Sequence, residues 1–214
     1  MPAVGCPEFE YDQNPRADAL LKSAMIAFFQ TLKRTSDYQK IEDAKDTRAQ
    51  HCVFFTNLAP PRHHYYAGHY RGEDFFCLKE YEVKIYGDPW VGESALRVPL
   101  SMMQFGEKLQ QAAALLDIEM HRYGTPRTSP EFIIKIIQVV AYFFAIFLTI
   151  HPYANGNGHM ARVIVVLLLD RFGIRAPRFT IHPRPLDPPY SDAIYRYRRA
   201  DTKPLELLLL RSIA

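Results

Sequence analysis

The side chains best suited to chemistry are concentrated in one short segment between two strongly apolar stretches. Residues 151–162 read HPYANGNGHMAR and contain two imidazoles, two amides, two glycines and a guanidinium. The glycines let the backbone come close to a ligand, and the unpaired N–H groups at the start of a following helix form an anion site. With His151 opening the segment and Arg162 one turn inside that helix, the pattern predicts a phosphate site.

Apolar periodicity predicts that this segment joins two buried helices. The residue before the first of them, Ser129, is a suitable N-cap, and Pro130 suits the first helical position. Further periodic stretches indicate that the protein is mainly α-helical. The predicted helices cover residues 17–33, 99–122, 130–150, 158–172, 189–200 and 203–213.

One region carries a strand signal. Residues 81–85 alternate apolar and polar side chains, a Gly-Asp-Pro turn follows at 87–89, and residues 95–98 form a shorter apolar stretch. This pattern is typical of a β-hairpin, or at least of an extended flap.

The segment at 151–162 resembles the motif of the Fic domain (Fic/DOC superfamily), His-Pro-Phe-x-(Asp/Glu)-Gly-Asn-(Gly/Lys)-Arg-x-x-Arg. Tyr153 replaces the phenylalanine conservatively, and residues 68–71, GHYR, are similar to the family's Gly-x-Tyr-Arg stretch. The residues that match outright are His151, Pro152, Gly156, Asn157, Gly158 and Arg162. The resemblance implies a mainly α, Fic-type helical fold with one β-hairpin flap over residues 60–214. Residues 1–59 would be an N-terminal helical extension of unknown role.

The resemblance also implies a protein adenylyltransferase, which transfers AMP from its co-substrate ATP to a Ser, Thr or Tyr hydroxyl of a target protein. His151 would be the general base, since an imidazole pKa near 6.5 lies close to working pH. Arg162 would hold the β- and γ-phosphates. The full set of implied nucleotide-binding residues is Gly156, Asn157, Gly158, His159 and Arg162.

Two positions depart from the family motif. Asn155 stands where the family has the acidic residue that holds magnesium, so Mg²⁺ (or Mn²⁺) would be weakly held, mainly by the phosphates. His159 stands where the family has its first arginine. If His159 binds phosphate as an imidazolium, activity would fall as the pH rises through its titration.

The family resemblance places the target protein at the flap near residues 79–98, bound by strand addition. The nearest self-inhibitory motif, at residues 202–206, lacks the final Gly or Asn, so any inhibition would come from a separate protein. Two other functions stay open. One is a degenerate Fic domain that acts as a nucleotide-binding or interaction module, and the other is a Fic enzyme that transfers another phosphate-containing group or removes AMP.

Composition excludes several other classes. The 214 residues are 48 % hydrophobic and 23 % charged, with a net charge of +3, which gives no reason to expect nucleic acid as a partner. Lys135 and Gln138 interrupt the apolar run 133–150, which favours a buried core helix over a membrane span. No secretion signal is visible. The three widely spaced cysteines predict no disulfide, and so favour a reducing, cytoplasmic location.

Overall fold

Helices dominate the fold, as the apolar periodicity predicts. The computed structural model describes residues 5–85, 87–123 and 129–213. Within those ranges it contains eight α-helices, together with short 3-10 helices at Tyr11–Gln13, His64–Tyr66 and Ala95–Arg97. The α-helices are α1 (Ala17–Leu32), α2 (Asp37–Lys45), α3 (Arg48–Phe55), α4 (Val98–Tyr123), α5 (Pro130–Ile150), α6 (Asn157–Arg171), α7 (Tyr190–Tyr197) and α8 (Lys203–Ser212).

Helix α5 is the central helix of the fold. The Ser129 hydroxyl accepts a hydrogen bond from the Phe132 N–H at 3.3 Å and Pro130 is the first helical residue, which confirms the predicted helix start. Helix α5 packs against α4, α6 and α8. It is long and apolar enough to cross a membrane, but half of its most apolar window is buried inside the protein. Helix α5 is therefore placed as a core helix of the fold.

The N-terminal helices share the core of the rest of the chain. Helix α2 packs against α6, and Leu21 of α1 and Phe55 of α3 belong to the same hydrophobic cluster as Val163 of α6. The division into units 1–59 and 60–214 stays a prediction. Residues 1–4, 86, 124–128 and 214 of those units lie outside the described ranges.

A fully buried arginine holds the end of α5. Arg71 donates four hydrogen bonds to backbone carbonyls: from Nε to His151 at 2.9 Å, and from its terminal nitrogens to Tyr81 at 2.8 Å, Glu93 at 2.9 Å and Ile150 at 3.2 Å. Burial lowers its pKa to about 10, so the guanidinium stays charged at neutral pH. Arg71 therefore joins the C-terminal end of α5 to both flanks of the predicted flap.

The predicted hairpin at 79–98 is wrong for the residues described there, which exclude Tyr86. They contain one isolated antiparallel bridge, between Ile85 and Asp88, and residues 95–97 form a 3-10 helix instead of a strand. The region remains an irregular flap segment, residues 79–94.

The hairpin fails because the flap segment's backbone has other partners. The Gly92 N–H donates to the Thr149 carbonyl at 3.0 Å, and the Glu93 N–H donates to that of Ile150 at 3.1 Å. These bonds satisfy carbonyls at the end of α5 that have no partner inside the helix. At a φ of +95°, a Cβ on Gly92 would lie 2.3 Å from the Val83 carbonyl oxygen, so only glycine allows this close approach.

The prediction that no disulfide forms is also wrong. Cys6 and Cys77 are bonded, with an S–S distance of 2.04 Å, across 71 positions of sequence. The bond fastens the N-terminal segment, residues 5–16, whose Pro7 carbonyl accepts a hydrogen bond from Tyr66 at 2.9 Å. Disulfides persist mainly in oxidising compartments, so this bond disagrees with the expected reducing, cytoplasmic location.

The substitution Arg71→Met should destabilise the protein severely, because it leaves buried carbonyls without a donor. We expect a loss of about 3 kcal/mol or more, which lowers the melting temperature by about 6–12 °C in a chain of this length. Differential scanning calorimetry measures the change. The matched control is Arg97→Met, since Arg97 has an exposed side chain and a single ion pair. Equal shifts in the two variants would contradict the role of Arg71.

Candidate active site

The loop between α5 and α6 is closed by its own side chains. His151 ends α5 in the left-handed conformation, with a φ of 55°. Six residues later, the Asn157 amide accepts a hydrogen bond from the Tyr153 N–H at 2.8 Å and donates one to the Tyr153 carbonyl at 2.8 Å. Asn157 is 2 % exposed. Its amide therefore closes the loop, and the expectation that this amide contacts phosphate is not met.

Gly156 lets the loop pack against α3. It caps α6 with a φ of +79°, and a Cβ at this position would lie 2.5 Å from the Phe55 ring. No other residue type fits both conditions. Its role in the structure is to seat the loop on α3.

His51, which lies outside the Fic motif, supports the loop from the side of α3. Its Nε2–H donates to the Asn155 carbonyl at 3.0 Å, and its Nδ1 accepts from the Gly68 N–H at 3.0 Å. The ring also stacks on Tyr153 at 3.8 Å. Burial lowers the His51 pKa to about 3, so the ring is neutral and makes both bonds at once.

Three of the predicted site residues line one cleft. His151, Gly158 and Arg162 meet in a cavity of about 440 Å³, a volume in the range of small-molecule sites. Its other walls come from the flap segment and α7. They are formed by Ile85, Gly87, Asp88, Val91, Leu148, Arg184, Tyr190, Ser191, Ile194, Tyr195 and Arg198. A larger cleft of about 620 Å³, between α2 and α4, contains none of the motif residues.

The His151 imidazole is unprotonated at neutral pH, as a general base must be. Burial, with a further contribution from the Arg71 charge, lowers its pKa to about 4. Its Nδ1 lies 3.4 Å from the Leu148 carbonyl, which can only accept a hydrogen bond. The proton of the neutral ring is therefore on Nδ1, and Nε2 is the basic nitrogen.

Arg162 brings an unbalanced positive charge to the cleft. It is 3 % exposed, and its guanidinium donates to the Ile181 carbonyl at 2.7 Å and to the Tyr190 hydroxyl at 3.3 Å. Within the described residues, no carboxylate lies within 4 Å of it. A buried cation without a counter-ion is costly, so the arrangement favours an anionic ligand.

The start of α6 adds hydrogen-bond donors beside that guanidinium. No side chain caps this helix, and the first N–H groups of a helix have no partner within it. Gly158 also leaves room, since a Cβ there would lie 3.2 Å from a terminal nitrogen of Arg162. The cleft thus combines helix N–H groups, a guanidinium and a basic imidazole.

Asn155, the predicted metal ligand, does not line this cleft. Its side-chain oxygen accepts a hydrogen bond from the Gly156 N–H at 2.7 Å, and its amide nitrogen donates to the Phe9 carbonyl at 2.6 Å. The carboxylate that does line the cleft, Asp88, is paired with Arg198 and Arg199. No group of three or more His, Cys, Asp or Glu side chains in the described ranges could hold a metal ion. These residues do not fit a magnesium ion held by the protein.

His159 also serves the fold instead of the cleft. Its Nε2 lies 3.2 Å from His182 Nδ1, and its Nδ1 lies 3.5 Å from the Tyr11 hydroxyl. His182 in turn lies 3.0 Å from the Asp18 carboxylate. Because a carboxylate only accepts, His182 Nε2–H donates to Asp18, and a chain of hydrogen bonds joins Tyr11 to Asp18 through both imidazoles.

Burial, with a further contribution from the Arg162 charge, lowers the His159 pKa to about 2. The side chain is 6 % exposed and packs among the Phe54, Phe55 and Tyr11 rings. An imidazole in this position cannot bind phosphate as a cation. The expected pH dependence through His159 therefore has no structural basis.

Part of the chain matches a known protein family. Residues 92–169, which run from the flap segment through α6, match the family model described as the Fic/DOC family. This segment belongs to a Fic domain. A match to this family indicates, at a coarse level, a transferase of nucleotidyl or phosphoryl groups. No curated protein sequence matches the chain.

Among solved structures, the chain is similar to BepC, a VirB-translocated Bartonella effector protein from Bartonella tribocorum, whose crystal structure contains bound AMPPNP. The TM-score is 0.69 at 16 % sequence identity, and the match covers 100 % of this chain and 91 % of BepC. At that identity the likeness shows the fold alone. The chain therefore shares the helical fold of BepC over its whole length, α1–α3 included.

Restoring the Fic consensus with His159→Arg should destabilise the protein, because it buries a charge among aromatic rings. We expect a loss of more than about 2 kcal/mol, measured by thermal unfolding. The control His64→Arg, at an exposed 3-10 position, should change stability by no more than about 0.5 kcal/mol. A His159→Arg protein that unfolds at the wild-type temperature and binds ATP more tightly would restore the phosphate-binding role.

Proposed function

We propose that this Fic domain transfers AMP from ATP to a hydroxyl group of a protein. One observation carries the proposal: Arg162 is buried without a carboxylate beside the neutral imidazole of His151, in a cleft of about 440 Å³. The crystal structure of BepC with AMPPNP supports a nucleoside triphosphate as the ligand.

The residues of the cleft suit each part of that reaction. His151 Nε2 takes the proton from a Ser, Thr or Tyr hydroxyl, whose oxygen forms a bond to the α-phosphorus. The bond between that phosphorus and the oxygen bridging to the β-phosphate breaks, and pyrophosphate leaves. Arg162 and the N–H of Gly158 stabilise the charge on the phosphates. This division assigns proton transfer to α5 and phosphate binding to α6.

The target hydroxyl would enter beside the flap segment. Ile85, Gly87 and Val91 line the cleft that contains His151, so a bound chain at this segment would lie next to the base. Docking of the target at this segment by strand addition stays a prediction.

A second candidate function is a nucleotide-binding or interaction module without transfer. It is favoured by Asn155 and His159, whose side chains bind the N-terminal segment and His182 instead of a ligand. The two functions differ in one measurement. ATP binding without any gain in protein mass supports the module, whereas a mass gain of one AMP group supports the transferase.

The substitution His151→Ala should slow self-labelling from ATP labelled on the α-phosphate by about 10²–10⁴-fold, because the general base is lost. ATP affinity should stay close to that of the wild type, since His151 acts on the hydroxyl. Intact-mass spectrometry and calorimetry measure the two quantities. The control His64→Ala removes an exposed imidazole and should label normally. Undiminished labelling in His151→Ala would refute the role of His151.

The pH dependence should reflect the lowered pKa of His151. Because the base works when unprotonated and its pKa is about 4, kcat/KM should stay constant from about pH 8 to about pH 5. It should fall only as the pH drops towards 4. The profile is measured with the wild-type protein at saturating nucleotide. A decline centred near the ordinary imidazole pKa, about 6.5, would contradict this environment for His151.

A further inference from the structure

The cleft carries more positive charge than the Fic motif supplies, and the excess lies on α7. Arg198 follows the last residue of α7 and lines the same cleft as Arg162. Its side chain is 12 % exposed and pairs with Asp88, itself 6 % exposed. Neither residue belongs to the Fic motif.

Asp88 cannot balance the arginines around it. Arg198 binds one of its carboxylate oxygens, and Arg199 lies 3.8 Å from the other. In the described part of the chain, no carboxylate lies within 4 Å of the Arg162 guanidinium. By contrast, Arg184 is neutralised, since it pairs with Asp187. Two guanidinium groups thus share the single carboxylate of Asp88, and the third, that of Arg162, has no carboxylate partner among the described residues.

A divalent cation would find no vacant acidic ligand here. Both oxygens of Asp88 face arginines, and the Asn155 side chain is bonded to Gly156 and Phe9. Magnesium prefers carboxylates and phosphate oxygens. The charge that a metal ion would supply to a polyphosphate is instead present on side chains of this chain.

We propose that the cleft binds the polyphosphate of a nucleotide through Arg162 and Arg198, without a divalent cation held by the protein. This inference rests on the proposed function, since it concerns the ligand of the same cleft. Arg198 exchanges its contact with Asp88 for a phosphate oxygen, while Arg199 keeps the carboxylate paired. Arg198 is thus a ligand-binding residue contributed by α7.

Calorimetry with ATP and with inorganic triphosphate, each in EDTA and in Mg²⁺, tests the proposal. We expect both ligands to bind in EDTA, with affinities that Mg²⁺ changes by less than about threefold. Arg198→Gln should weaken both about tenfold or more, since a charge-assisted bond is lost. The matched control is Arg196→Gln. Arg196 lies in α7, two positions before Arg198, and its half-exposed side chain pairs with Asp201 outside the cleft.

A second variant separates phosphate binding from a structural ion pair. Asp88→Asn breaks the same pair but leaves Arg198 in place, so triphosphate should bind at least as tightly as in the wild type. If Arg198 only fastened the flap segment to α7, then Asp88→Asn would weaken binding as much as Arg198→Gln, and the proposal would fail.

The outcomes also separate this inference from the proposed function. ATP binding that occurs in Mg²⁺ but not in EDTA would overturn the metal-independent site while leaving the transferase in place. Absence of ATP and triphosphate binding under both conditions would overturn both.

Discussion

The charge of Arg71 at the end of α5 is the constraint on which the cleft depends. The C-terminus of a helix concentrates carbonyl groups without partners and a partial negative charge. Arg71 satisfies the Ile150 and His151 carbonyls directly and binds Tyr81 and Glu93 with its remaining donors. The Arg71 guanidinium therefore fixes the position of His151 relative to both flanks of the flap segment. The same charge helps to keep the His151 imidazole neutral.

Helical periodicity explains why neighbouring motif residues do different work. Gly158 and Arg162 are four positions apart on α6, so they share one face, and both line the cleft. His159 is about 100° further round the helix and meets Tyr11 and His182 instead. The motif residues on α6 therefore lie on two faces of the helix. Gly158 and Arg162 lie on the face that lines the cleft, and His159 lies on the face that contacts the N-terminal segment. The departure from the family motif at His159 therefore affects side-chain packing and not the residues that line the cleft.

The sequence was sufficient for what depends on local pattern. Apolar periodicity and the Ser129-Pro130 start predicted α5 closely, and the order of the motif predicted the grouping of His151 with Arg162. Contacts between distant positions were not predictable this way. The flap segment alternates like a strand, but Arg71 and the end of α5 take its backbone groups. Cys6 and Cys77 are 71 positions apart, and spacing alone cannot pair them. His51 lies in a polar part of the sequence, and such composition favours an exposed side chain. It is buried because α3 turns it towards the loop.

The replacement of an acidic residue by Asn155 has a consequence for charge as well as for metal binding. A carboxylate at that position would place a negative charge on the same loop as Arg162. With a neutral amide there, the positive charge of Arg162 has no opposing charge on the motif. In the proposed function, phosphate oxygens supply that charge, and the electrostatic match then needs fewer additional cations. The neutral Asn155 therefore removes a possible metal ligand and leaves the charge of Arg162 unopposed within the motif, and both features favour the proposed recognition of polyphosphate by arginine.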